Sequence, residues 1–279
     1  MKVCKIILIL ILNLIFICSS QLHAINENKK RELMNLGRKS HQSSMYYRNI
    51  IRQSRIALNN IFNQYKLDES RARIEINRLN KAQYDLLNLH HDNQIEIREL
   101  LTESEFNEIQ NMRNRGIRPV PPSDRQLESM MPLMFSPSII NQLNLTKDQK
   151  NKLSSITRMN DERSRLLRTL RTESERIFIA YSKYDINKYS LKSQINSINN
   201  IQKKLSENTL SIEKEIRKVL NESQFNKFKS LQPRIPLNRG PQHSPRRGWQ
   251  MNYDFDDANL TEQYYHQVSL RFQTLFLPV

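Results

Sequence analysis

Residues 96–107 read EIRELLTESEFN, and residues 215–226 read EIRKVLNESQFN. The second stretch lies 119 positions after the first, and the same offset lays residues 26–115 on residues 145–234 without a gap. Identities concentrate toward the end of each copy, at Gln83/Gln202, Leu86/Leu205, Glu96/Glu215, Ile97/Ile216, Arg98/Arg217, Leu101/Leu220, Glu103/Glu222, Ser104/Ser223, Phe106/Phe225 and Asn107/Asn226. Farther back, Tyr65/Tyr184 and Ile76/Ile195 hold the same frame. Composition alone does not produce an ungapped register of this length, even in a chain rich in Asn, Lys and Ile. The chain carries one unit twice.

Working backward from the two stretches, each copy reads as helix. In the second copy the apolar seam is Leu191, Ile195, Ile198, Gln202, Leu205, Thr209, Ile212, Ile216 and Val219, in steps that alternate four and three. That period keeps a stripe on one face of helices packed at a shallow angle. The matching seam of the first copy is Ala72, Ile76, Leu79, Gln83, Leu86, His90, Asn93, Ile97 and Leu100, with its polar interruptions at the same places. A preceding helix carries Tyr47, Ile51, Leu58, Phe62 and Tyr65 in copy one and Leu166, Leu170, Ile177, Tyr181 and Tyr184 in copy two. Between the two helices, Asp68 and Asn187 stand where a returning helix needs a cap. Connections this short make neighbours antiparallel. The expected fold is all-α: two tandem antiparallel helical hairpins, each with a short third helix, forming an elongated pseudo-dimer.

The helix starts have their own signature. In Leu145-Thr146-Lys147-Asp148-Gln149, Thr146 and Gln149 form a capping box. The device recurs with Leu101, Thr102 and Glu105 and with Leu220, Asn221 and Gln224, where Leu101 and Leu220 are placed to pack on Phe106 and Phe225. These residues read as structural helix caps. Copy one ends at Gly116, followed by Pro119, Pro121 and Pro122, a stop signal for a helix.

The flanks divide the chain further. Residues 1–24 read as a secretory signal peptide: Lys2 and Lys5, an apolar run from Ile6 to Cys18, then a short polar exit ending at Ala24. The alternative is a retained anchor, but the apolar run is shorter than the ~20 residues of a spanning helix. Residues 25–118 form helical repeat 1, 119–137 a Pro/Met-rich linker, 138–236 helical repeat 2, and 237–279 a basic, partly disordered tail. Met130, Met131, Leu133, Met134 and Phe135 make the linker apolar, so it either packs on its own hairpins or offers an adaptable contact surface. The stretch 259–279 fits a helix or a strand.

Both cysteines, Cys4 and Cys18, fall in the signal segment, so the exported chain has no disulfide chemistry and no Cys-ligated metal site. Losing Lys2 and Lys5 with that segment lowers the net charge from +16 to +14. Behind an export signal, such a balance points to acidic proteins or envelope surfaces rather than nucleic acid.

A Leu-Thr-x-x-Gln motif at the start of a helical unit, with a degenerate copy near its end, resembles the Spy/CpxP family of periplasmic stress proteins. Leu145, Thr146 and Gln149 open the second copy, and Leu220, Asn221 and Gln224 close it with Asn in place of Thr. Copy one departs further: Asn26-Glu27-Asn28-Lys29-Lys30 replaces its opening motif and Glu105 its closing Gln. The resemblance covers residues 26–234. It implies cradle-shaped pairs of helical hairpins whose basic concave face binds unfolded clients without ATP or docks a sensor kinase. Here the tandem copies would do within one chain what two subunits do in that family, with a covalent link replacing bimolecular association.

Candidate client-binding residues are Arg163, Arg165, Arg168, Arg171 and Arg176 on one helix and Arg48, Arg52 and Arg55 on its counterpart. Pairing with Glu162, Glu173 and Glu175 on a solvated face is the competing explanation of them. His90 and His91 diverge by about 100° on a helix and do not readily share an ion, and His41, His243 and His266 are scattered, so no metal ligands are assigned. No nucleophile, base and orienting acid form a set, so no catalytic residues and no cofactor are expected. The expected protein is a periplasmic, ATP-independent chaperone or envelope-stress adaptor, acting as a monomeric pseudo-dimer or a homodimer. Its partners would be unfolded or acidic envelope proteins or a sensor-kinase periplasmic domain, with peripheral membrane contact through the tail a further reading. The competing classes are a structural envelope protein and a metal- or stress-sensing regulator of a sensor kinase.

Overall fold

The computed structural model describes residues 25–114, 135 and 137–232. Residues 1–24, expected to be a signal peptide, Gly116 and the prolines after it, the methionines of the linker and the tail lie outside the described residues. Within them the protein is all-α. Helices α1 (Glu27–Phe62), α2 (Glu69–Leu100) and α3 (Glu103–Asn114) make the first copy. A short α4 (Pro137–Gln142) leads into α5 (Lys147–Tyr181), α6 (Lys188–Val219) and α7 (Glu222–Leu231), the second copy. The periodicity does not announce α4, because six residues are too few to show a stripe. It is followed by Asn144, whose φ of 49° places it in the left-handed region, a conformation that Asn tolerates better than most side chains.

Each long helix begins where a side chain can take over the free N–H groups of its first turn. Asn26 accepts from the Asn28 amide, Asp68 from Arg71 and Asn187 from Ser190, each at 2.9 Å. α1 packs antiparallel on α2, and α5 on α6. At 1.5 Å per residue these helices run about 50 Å, so the core is stretched into successive clusters. Ile51, Leu58, Phe62, Ala72, Ile76 and Leu79 fill the half of the first hairpin next to its turn; Leu170, Ile177, Tyr181, Leu191, Ile195 and Ile198 fill the same half of the second.

The two hairpins join through their returning helices, α2 and α6, which lie antiparallel. Arg73 pairs with Glu207 at 3.3 Å near one end. The Tyr84 hydroxyl reaches Asn196 at 2.8 Å in the middle, and Lys192 reaches Asn88 at 2.7 Å. Lys188 meets Glu99 at 2.8 Å at the other end. Under the 119-residue offset, the Arg73/Glu207 pair is the counterpart of the Lys192/Asn88 pair. The repeats are therefore related by an approximate two-fold axis crossing the α2–α6 contact.

This contact explains why α2 and α6 bury a second stripe besides the seam. Asn80, Gln94 and Arg98 on α2 and Asn199 and Glu213 on α6 are buried. A helix that packs on two neighbours has two inward faces, and one of them here is largely polar, interrupted by the buried Leu87 and Leu210.

Candidate functional site

The ends of the hairpin–hairpin contact hold its most elaborate chemistry. α5 stops at Tyr181, leaving its last carbonyls without intrahelical donors. Arg98, from α2 of the other hairpin, supplies them: Nη2 donates to the carbonyls of Tyr181 (2.7 Å) and Lys183 (2.6 Å), and Nε to that of Tyr184 (3.0 Å). At the opposite end Arg217 does the same for α1. Its Nη2 donates to the Phe62 (2.9 Å) and Gln64 (2.7 Å) carbonyls, and its Nε to Tyr65 (3.0 Å). All these partners correspond under the repeat offset. Each guanidinium also lies over a phenylalanine, Arg98 over Phe106 at 4.5 Å and Arg217 over Phe225 at 4.6 Å, where the ring face attracts the cation.

The tyrosines answer in the reverse direction. The Tyr184 hydroxyl donates to the Leu101 carbonyl at 2.9 Å, and that of Tyr65 to Leu220 at 3.3 Å. The sequence pattern puts Tyr65 and Tyr184 at the ends of their helices' own stripes. They lie instead in the loops just beyond α1 and α5, and dock across to the other hairpin. Arg98 and Arg217 are identical at the repeat period, which is the signal by which they are found.

The helix-cap residues interlock. The Gln149 amide N–H is accepted by Thr146 Oγ1 at 3.2 Å, and the Gln149 side chain returns to the Thr146 N–H at 3.0 Å. Asn221 and Gln224 repeat the box. Gln149 Nε2 then donates to Gln224 Oε1 and to the Val219 carbonyl, both at 2.7 Å, so the opening and closing caps of copy two touch. In copy one Glu105 takes the place of Gln224. It accepts from the Thr102 N–H at 2.7 Å and pairs with Lys29 at 2.8 Å, a bond that with the Thr102 contact holds its carboxyl below the usual carboxylate range. The loss of one glutamine pair is thus compensated by an ion pair. Leu101 packs with Phe106, and Leu145 and Leu220 with Phe225.

The eight candidate arginines do not share one surface. Arg165 pairs with Glu162, Arg171 with Glu175 at 2.8 Å and Arg176 with Glu173 at 2.7 Å, all along α5. Arg52 donates to Asn49 at 3.3 Å on α1. Arg48 and Arg168 also interact elsewhere in the protein. Arg55 and Arg163 alone of the eight converge, from different hairpins, on a cleft of about 80 Å³ lined also by Leu58, Phe62, Ile76, Leu79, Gln83, Gln202, Leu205, Ser206 and Thr209. Sequence places these two on helices but not on facing ones.

His90 and His91 are both buried on α2. His91 Nδ1 lies 3.0 Å from the Tyr181 hydroxyl across the hairpin contact. Burial lowers the His91 pKa from its ordinary 6.5, with Lys192, Lys188 and Arg98 adding to the effect and Asp92 opposing it. Burial also pushes the Tyr181 hydroxyl up. Among the described residues no cluster of three or more His, Cys, Asp or Glu is arranged to hold a metal ion, and no helix is long and apolar enough to cross a membrane. No protein-family model, curated protein or solved structure matches the chain.

Proposed function

We propose that this is an exported protein-binding scaffold, an ATP-independent periplasmic chaperone or envelope-stress adaptor of the kind the Spy/CpxP resemblance implies. The observation that carries the reading is the pairing of exposed apolar side chains with cations on both outer helices. On α1, Met45 and Tyr46 are 56% and 64% exposed, and Arg48 and Arg52 follow Met45 one and two turns along the same face. On α5, Ile179 is 58% exposed one turn beyond Arg176. An unfolded acidic polypeptide presents the complementary chemistry, apolar segments interspersed with carboxylates.

The reciprocal docking lends further support. Separate patches held on two hairpins that fasten each other are preorganised, which reduces the entropy lost on binding. The test is suppression of light scattering from several unfolded clients at equimolar protein without nucleotide. Protection of acidic clients is expected, and its absence across all of them overturns the chaperone reading. Binding to one sensor-kinase periplasmic domain without general protection would assign the adaptor role.

A further inference from the structure

The lining of the cleft between the hairpins follows the repeat in part and breaks it in part. Its apolar lining keeps the pattern: Leu58, Ile76, Leu79 and Leu205 have Ile177, Ile195, Ile198 and Leu86 as counterparts. Its polar lining does not. Arg55 and Arg163 face Ser174 and Ser44 in the repeat alignment, while Ser206 and Thr209 face Leu87 and His90. At the counterpart positions Leu87 and His90 are bulkier than Ser206 and Thr209, while Ser44 and Ser174 are smaller than the two arginines; Leu87 belongs to the core cluster of Leu170, Ile177, Tyr181 and Ile198. On the cleft side Ser206 and Thr209 of copy two are small, and each copy contributes one arginine that its repeat lacks, Arg55 and Arg163.

Two guanidiniums and no carboxylate line the cleft, so its charge selects an anion. Each arginine also interacts elsewhere in the protein, but five N–H donors let one guanidinium hold a neighbour and a ligand together. In the wall the Gln202 carbonyl oxygen is buried without a hydrogen-bond donor. At about 80 Å³ the cleft exceeds the ~10–15 Å³ that one water needs but is smaller than a whole leucine residue, so only part of a ligand enters it; the remaining walls are aliphatic and aromatic. We propose that this cleft binds a carboxylate on a short aliphatic stem, and specifically the C-terminal residue of a polypeptide ending in an aliphatic side chain. The arginines hold the carboxylate, Gln202 meets the last peptide N–H, and Leu58, Phe62 and Leu79 line the part of the side chain that enters the cleft. The polypeptide source rests on the protein-binding reading above; the carboxylate chemistry does not.

The experiment is fluorescence anisotropy of the full chain with a labelled hexapeptide ending in leucine, as the free acid and as the C-terminal amide. The acid should bind and the amide should bind at least about tenfold more weakly, the loss expected for charge-assisted bonds. Arg163→Gln and Arg55→Gln should each weaken the acid selectively. Ser206→Leu with Thr209→His, which restores the bulk found at the counterpart positions, should abolish binding while helical content stays unchanged. Displacement of the peptide by N-acetyl-leucine would show that a free acid suffices; failure to displace it would assign the site to polypeptide ends. Equal binding of acid and amide, or wild-type binding by both arginine variants, overturns the proposal. Client protection without discrimination between acid and amide removes this site but leaves the chaperone reading intact, whereas the reverse result removes only the latter.

Discussion

Arg98 and Arg217 each tie a carbonyl cluster at the end of one hairpin to the other hairpin, and their loss would be felt at both. Removing either guanidinium strands several helix-end carbonyls in a largely buried place. Arg98→Ala or Arg217→Ala should therefore cost about 3 kcal/mol, within the range for losing charge-assisted bonds at a buried site. Denaturant unfolding checks this, and a change below 1 kcal/mol, roughly the worth of an exposed pair, would show that the contacts are incidental. His91 gives the contact a pH dependence of definite sign. Its folded pKa lies below its ordinary 6.5, so below about that pH the unfolded chain binds the extra proton. Stability from this group is complete above 6.5 and declines as pH falls through the unfolded value toward the folded one, with a slope of at most about 1.4 kcal/mol per unit. His91→Gln should flatten that part of the stability–pH curve. An unchanged curve would show that His91 is not held neutral by its burial.

At the scale of elements, the hairpins and their caps were legible because both depend on local rules. The alternation of four and three gives the seam, and Thr146, Asn221, Asp68 and Asn187 stand at helix starts for a reason visible in a few residues. The inner stripe was hidden because Asn80, Gln94, Arg98 and Glu213 are polar, and a polar stripe reads as solvated until its partner is known. The same limit applied to the candidate site: a helical period tells which arginines share a helix, but only the antiparallel crossing of α2 and α6 brings Arg55 and Arg163 together. The caps make a graded prediction. Thr146→Ala should cost about 1 kcal/mol, the usual worth of an N-cap. Gln149→Ala should cost more, about 1.5–2 kcal/mol, because it also releases the Val219 carbonyl and Gln224. Equal losses in thermal melts would mean that the link between the two caps contributes nothing.

The molecule as a whole is a pair made from one chain. Its interface is isologous in form, the same patch used twice, as in two-fold dimers, and the covalent connection fixes its stoichiometry. Because each hairpin caps the helix ends of the other, the two should unfold in one transition, and calorimetry should find no separate melting of α1–α3 and α5–α7. The antiparallel docking of α2 on α6 underlies this cooperativity, the cleft and the proposed binding surface alike. Its most direct test uses paired cysteines and a short bismaleimide. Arg73→Cys with Glu207→Cys joins exposed positions that face each other, and should cross-link within the monomer. Arg73→Cys with Lys192→Cys should not, since Lys192 lies about 22 Å farther along α6 at 1.5 Å per residue. Parallel docking would bring these equivalent repeat positions together. Cross-linking of the second pair and not the first would contradict the account.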